Sequence, residues 1–136
     1  MSRPGKCKGL LTGGNLSILY SLTGSSSDIN TDGKILFIED LDEYLYHVDR
    51  MMMNLKRSGK LENLAGLLVG GMTEMNDNPS PFGRIPEEII LETIKDYDYP
   101  VFFSAPVGHI SENRVLILGR ESEMVSDENV ALYQKP

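Results

Sequence analysis

Lys34-Ile35-Leu36-Phe37-Ile38-Glu39-Asp40 is an apolar run that stops on two carboxylates. It follows the turn Thr31-Asp32-Gly33. Its consecutive large apolar residues predict a strand buried on both faces, because a strand with one face in water alternates apolar and polar positions. Such strands belong to α/β sheets, where ligands bind at the carboxyl edge. Glu39 therefore reaches that edge with its backbone held by the ladder. Two readings of the acids stand side by side: a working carboxylate facing a crevice, or the first turn of the next helix, where the dipole favours negative charge.

A second segment bears on that choice. Pro106-Val107-Gly108-His109 follows the apolar run Val101-Phe102-Phe103, so a histidine also lies just past an expected strand end. A carboxylate that accepts the Nδ1 proton of an imidazole fixes its tautomer and raises its basicity. Nε2 is then free to take a proton from a nucleophile. If Glu39 and His109 share one edge, two members of a catalytic triad are present.

Outward from the central strand, the chain reads as alternating strands and helices. Residues 1–8 are polar, contain Pro4 and Gly5, and read as a linker remnant, leaving 9–136 as the folded domain. From Gly9 a short apolar piece reaches Gly13-Gly14-Asn15, with Asn15 as N-cap of a short helix that Gly24 stops. The glycine pair reads first as a tight turn and second as a backbone cradle for a carboxylate. Ser25-Ser26-Ser27-Asp28 lacks the apolar lead-in strand that creates a nucleophile elbow and reads as a surface loop.

Leu41 to Ser58 reads as a helix on the stripe Leu45, Val48, Met52 and Leu55, ending at Gly59, with His47 on the solvated side. Met51, Met52 and Met53 cannot all face inward, so one is expected to line a groove or partner surface. Leu64 to Gly71 reads as a second buried strand and Thr73 to Gly83 as a turn-rich loop. Pro86 reads as the first residue of a helix ending near Tyr97, with Ile85, Ile89, Ile90 and Ile94 as its stripe. Val101 to Ser104 reads as a strand, and Val115 to Gly119 and Asn129 to Tyr133 as a closing pair, which together favour a mixed sheet.

At 136 residues the chain suffices for a single core. A net charge of −7, with scattered Lys and Arg, excludes a nucleic-acid partner. Cys7 is the one cysteine, so no intrachain disulfide forms, and no His or Cys spacing marks a metal site. No apolar stretch approaches bilayer length and the first residues lack the apolar core of a signal peptide. A soluble, cytoplasmic protein without membrane contact is the expectation.

Taken in order, Gly13-Gly14-Asn15-Leu16-Ser17, Gly33 to Asp40, Tyr46-His47-Val48-Asp49-Arg50-Met51, Gly66-Leu67-Leu68-Val69-Gly70, Pro106-Val107-Gly108-His109 and Asn113 resemble the LD-carboxypeptidase family of serine peptidases. That family includes the murein tetrapeptide carboxypeptidases and the microcin-immunity peptidases. The likeness is to its C-terminal domain only.

The resemblance implies an α/β fold, a small swivelling β/β/α domain with a mixed sheet. It places the triad acid at Glu39, with Glu43 as competitor, and the histidine at His109. The nucleophilic serine would lie in an N-terminal domain that has no counterpart here, so the chain alone is expected to be inactive. Release of the terminal D-alanine from cytoplasmic murein tetrapeptides, with no metal or other cofactor, is the implied reaction. Gly13, Gly14 and Asn15 are candidate substrate-binding residues. The other readings are a non-catalytic peptide- or carboxylate-binding module and an unrelated swivelling assembly piece. A missing domain also predicts an apolar patch with a polar rim near Glu39 and His109, and self-association through it, or through the methionine-bearing helix, would give a homodimer.

Overall fold

The computed structural model describes residues 2–126 and 131–134. Strand β1 spans Gly5–Asn15, α1 Leu16–Leu22, β2 Ile35–Leu41, α2 Leu45–Arg57, β3 Gly66–Thr73, α3 Pro86–Thr93, β4 Val101–Phe102, β5 Glu121–Ser126 and β6 Ala131–Gln134. The strands form one mixed sheet in the order β4-β3-β2-β1-β5-β6. Neighbours among β1 to β4 are parallel, whereas β5 runs antiparallel to both β1 and β6. The long β1 joins the two parts: residues from Leu11 onward pair with β2, and Gly5 to Leu10 pair with β5.

The expected burial of β2 on both faces is what the structure shows. Leu36 and Ile38 face the helices, packed with Leu67 and Val69 of β3, Val48, Met51, Met52 and Leu55 of α2, and Ile89 and Ile90 of α3. Ile35 and Phe37 face the other side, with Leu11, Leu68, Ala105 and Met124. Of the methionine triplet, Met51 and Met52 are fully buried and Met53 is exposed. Met53 lines a shallow groove with Tyr20, Tyr46 and Phe82.

Several elements differ from the sequence reading. Strand β1 begins at Gly5, inside the segment read as linker, and its inward positions up to Leu10 are the small residues Gly5, Cys7 and Gly9, while Lys6 and Lys8 point outward. Small inward residues carry no apolar signal, but the packing demands them: a Cβ on Gly9 would lie 2.7 Å from the Gly33 carbonyl oxygen. Residues before β1 are also tied down. Arg3 pairs with Val101 through backbone bonds of 2.9 and 3.0 Å, and its guanidinium donates to the carbonyls of Ile94, Tyr97 and Tyr99. Loss of such charged bonds to carbonyls at a helix end costs about 2 kcal/mol. Arg3→Ala is therefore expected to lower unfolding stability by about 2 kcal/mol in urea titrations.

The glycine pair is not a turn, because β1 continues through Gly13 and Gly14 directly into α1. Helix α2 starts at Leu45 rather than Leu41, since β2 runs on to Leu41 and Asp42 takes a positive φ of 59° that no helix start permits. Helix α3 stops at Thr93, short of Tyr97, and β4 ends at Phe102, two residues before Ser104, whose φ is also positive. The apolar stretch Val115 to Gly119 is not a strand: Val115, Ile117 and Leu118 are exposed. Its place is taken by β5, whose Glu121 and Glu123 point to water while Ser122 and Met124 point inward. In the second half of the expected pair, Asn129 and Val130 lie outside the described residues, and β6 covers Ala131 to Gln134.

Candidate active site

The end of β2 is where the ladder slips. Ile38 pairs with Val69 but Asp40 pairs with Met72, so Gly70 and Gly71 together oppose Glu39. A bulge of this kind re-aims the side chain it carries. The two glycines also admit the loop that follows β4. A Cβ on Gly70 would stand 2.4 Å from the Val107 carbonyl oxygen, and one on Gly71 would stand 2.5 Å from the Ile110 side chain. Backbone bonds from Ala105 N–H to Val69 and from Gly71 N–H to Val107 lay that loop onto β3. Asn113 clamps it from outside, accepting from Gly108 N–H at 3.2 Å and donating to the Gly108 carbonyl at 2.8 Å. Thr73 donates to the His109 carbonyl at 2.7 Å.

These constraints bring Glu39 and His109 together. His109 Nδ1 lies 2.7 Å from Glu39 Oε2, and the backbone N–H of His109 donates to the same oxygen at 3.2 Å. The Glu39 side chain is 7% exposed, while the His109 side chain is 53% exposed. A buried carboxylate thus faces one edge of an imidazole whose body stands toward solvent. With Nδ1–H donating to the acid, Nε2 is left as the free acceptor. Neither histidine ring bonds a serine among the described residues.

Asp40, next in the strand, points to the opposite face of the sheet and has different partners. It accepts from Asn15 Nδ2 at 2.9 Å, Ser17 N–H at 3.0 Å and the Ser17 hydroxyl at 2.8 Å. The same hydroxyl lies 2.9 Å from Glu43 Oε1, and Glu43 Oε2 accepts from His47 Nδ1 at 2.7 Å. Glu43 is therefore engaged on the helix side with His47, and the acid bonded to His109 is Glu39. His47 is not the solvated residue expected, since its side chain is 28% exposed and paired. The spacing of four between Glu43 and His47 is the signal that would have found this pair.

Burial alone would raise the Glu43 carboxyl, but hydrogen bonds from His47 and Ser17 outweigh it and hold the group below its usual range. A carboxylate depressed on folding adds stability above its unfolded value of about 4.3 and loses it as pH falls through the folded value. The stability advantage of the natural chain over Glu43→Gln is thus expected to be full above about pH 5 and to fall away as the pH is lowered below the unfolded value, as urea titrations across that range would show.

The candidate binding residues split. Asn15 lies opposite Glu39 in the β1–β2 register, but both ends of its amide are in use, Oδ1 capping Ile18 N–H at 3.1 Å and Nδ2 bonding Asp40. Gly13 is packed against Phe37, whereas no atom lies within 4 Å of a Cβ built on Gly14, which leaves its face open at the same edge. On the Glu39 face of the sheet, an open groove of about 460 Å³ is lined by Leu68, Phe102, Val107, Leu116 and Leu132, with exposed Val115 on its margin. Arg114 and Gln134 also line it, so polar and apolar side chains share the groove, and neither Glu39 nor His109 is among its walls. Cys7 is unsuited to nucleophilic chemistry, since burial pushes its thiol up to about 11 against a small opposing effect of a Met124 backbone bond. Among the described residues no three His, Cys, Asp or Glu side chains gather as metal ligands, and no helix is long and apolar enough to cross a membrane.

With this geometry in hand, comparison with known proteins is specific. The family model described as the LD-carboxypeptidase C-terminal domain matches residues 8–124. A Bacillus subtilis (strain 168) protein, described as a probable murein peptide carboxypeptidase, is 37% identical over 135 residues, which take in 96% of this chain and 41% of that relative. The crystal structure of muramoyltetrapeptide carboxypeptidase from Oxalobacter formigenes superposes with a TM-score of 0.86 at 27% identity, covering 96% of this chain and 45% of the other. The microcin C7 self-immunity protein MccF shares the fold at a TM-score of 0.85 and 24% identity, with 98% of this chain and 39% of that one covered. The chain belongs to the LD-carboxypeptidase family and corresponds to its C-terminal domain. It spans about two fifths of the length of these relatives.

Proposed function

We propose that this chain is the acid–base half of a serine-type LD-carboxypeptidase that releases the terminal D-alanine from murein tetrapeptides in the cytoplasm, as part of cell-wall recycling. The observation that carries this reading is the bond between buried Glu39 and exposed His109, which leaves Nε2 facing solvent with nothing in the described chain to serve. A histidine in that state is prepared for a hydroxyl supplied from elsewhere. The share of the relatives' length that lies outside the match leaves room for a domain that carries it.

In the assembled enzyme, His109 Nε2 takes the proton of the incoming serine as its oxygen attacks the scissile carbonyl. The imidazolium that forms is stabilised by the Glu39 carboxylate, and Nε2 then returns the proton to the departing D-alanine amine. Water reverses the sequence to free the acyl-enzyme. Gly14 and Asn15 border the same edge and, with Gly13 holding β1 against β2, form the wall against which the peptide lies. The α2 face bearing Met53 is the surface for self-association in this reading. Among the described residues no serine bonds the His109 ring, and in this reading the chain alone is silent, since loss of the nucleophile costs about as much as loss of the whole triad.

The test is reconstitution. Joined to a serine-bearing domain of the family, the chain should release D-alanine from a murein tetrapeptide. Continued silence from a well-folded fusion, together with retained binding of the peptide, would replace this reading with the non-catalytic binding module.

A further inference from the structure

We propose that Asp40 is a positioning residue: bonded on the helix side of the sheet, it sets the direction in which Glu39 presents its carboxylate to His109 on the other side. The consequence for turnover rests on the peptidase reading; the effect on the Glu39–His109 bond does not.

Asp40 is 3% exposed, and a carboxylate taken out of water is costly unless its acceptor sites are filled. Here each oxygen has two donors. Oδ1 accepts from Asn15 Nδ2 at 2.9 Å and from Leu41 N–H at 2.9 Å. Oδ2 accepts from Ser17 N–H at 3.0 Å and from the Ser17 hydroxyl at 2.8 Å, whose proton Glu43 Oε1 shares at 2.9 Å. No Lys, Arg or His ion-pairs with Asp40 among the described residues. A buried acid surrounded by fixed N–H groups, with no cation beside it, gives the chain a direction rather than a neutralised charge.

That direction is needed at this point of β2. The pairing with β1 ends at Asn15 opposite Glu39, and the next residue, Leu16, already begins α1. On the β3 side the register slips between Ile38 and Asp40. Glu39 thus stands where the ladder stops on one side and bulges on the other, and backbone in that state tilts unless something beyond it holds the chain. Asp40 supplies the hold by tying residue 40 to the last residue of β1 and the second of α1. Because successive side chains of a strand point to opposite faces, an anchor on Asp40 also fixes the aim of Glu39. The tolerance at Glu39 is small. Its Oε2 meets both the His109 N–H at 3.2 Å and Nδ1 at 2.7 Å, and a Cβ on Gly108 would lie 2.7 Å from that same oxygen. Asp40 bonds neither partner of this pair and acts through the peptide it shares with Glu39.

Asp40→Asn keeps the size of the group but turns one acceptor oxygen into a donor, so that either Asn15 Nδ2 and Leu41 N–H or Ser17 N–H faces an amide nitrogen. Two readings in the folded chain report on His109: the ratio of its Nδ1–H to Nε2–H tautomers by nitrogen-15 spectroscopy, and the exchange rate of its backbone amide. The tautomer ratio should fall and the amide exchange should quicken, each by about fivefold, the factor that goes with one hydrogen bond. Thr31→Val is the control for lost stability, since Thr31 is buried at the amino edge and its hydroxyl donates to the Lys60 carbonyl at 2.8 Å. It should destabilise the chain and leave both readings unchanged. Natural values in Asp40→Asn, or equal shifts in Thr31→Val, would overturn the proposal. If Asp40→Asn does not fold, Ser17→Ala, which removes a single donor, should move both readings the same way by a smaller factor, and unchanged readings there would overturn it equally. In a fusion with a serine-bearing domain, Asp40→Asn should lower kcat about fivefold with KM unchanged. A tautomer shift in the chain beside an inactive natural fusion would leave the role of Asp40 standing and remove the peptidase reading instead.

Discussion

On the proposed function, His109→Ala in a protein that carries a serine-bearing domain ahead of this chain is expected to lower kcat for D-alanine release by about a millionfold, because catalytic groups that act as a unit are lost together. Glu39→Gln lowers it by about a thousandfold, and the difference is informative. One Glu39 oxygen accepts both the His109 backbone N–H and Nδ1–H. An amide oxygen in its place keeps both bonds, so the tautomer survives and the negative charge is what disappears. At contact distance and an effective dielectric of about 20, that charge is worth about 4 kcal/mol to an imidazolium, or about a thousandfold in rate. A loss of about ten-thousandfold would indicate instead that the wrong tautomer had formed. His109 is largely exposed, so the His109→Ala chain should retain its circular dichroism spectrum, and steady-state kinetics then reads chemistry rather than folding.

The largest effect on stability is expected at Gly13. A Cβ there would fall 1.9 Å from the Phe37 carbonyl oxygen, which belongs to backbone and cannot move aside, and the residue holds a φ of +127°. Gly13→Ala combines a clash with a strained backbone and should cost about 4 kcal/mol or more, enough to unfold many domains of this size. Gly14→Ala is the contrast. Its φ of +154° is also unfavourable, but no atom lies within 4 Å of the added carbon. A cost of about 1–2 kcal/mol follows from strain alone. Urea denaturation of the two variants separates them. Equal losses would mean that the approach of β1 to β2 at Phe37 is not what fixes the register in which Asn15 faces Glu39.

The fold was most legible where burial is complete. β2 and β3 announce themselves because strands covered on both faces must be continuously apolar, and the stripe of α2 identifies its packing side. Legibility failed where packing is set by shape. Gly5, Cys7 and Gly9 lie inward because neighbouring backbone leaves room for nothing larger, and their small size hides the strand. β5 has one acidic face and so resembled a turn, while Val115 to Leu118 resembled a strand although Val115, Ile117 and Leu118 stand exposed. At the site, Glu39 is recognisable as a residue that a buried strand carries to its carboxyl end and His109 as one just past a strand. Their contact is not, because it depends on a bulge and on Gly70 and Gly71, which carry no side chain to mark the opening. The Ser17–Asp40–Glu43–His47 cluster is not legible in the sequence, where Asp40 reads as a working carboxylate or a helix start and Glu43 as a competitor for the triad acid, although alternation along β2 sends Asp40 to the face opposite Glu39.

In the proposed function the Glu39 carboxylate holds the Nδ1 proton of His109 and leaves Nε2 open for a hydroxyl from another part of the polypeptide. Nitrogen-15 spectroscopy of the imidazole, correlated through the ring carbon protons of the natural chain in its neutral histidine state, reads this directly. The expected result is a protonated Nδ1 and an unprotonated Nε2 for His109. A His109 ring that carries its proton on Nε2 in the folded chain would contradict it.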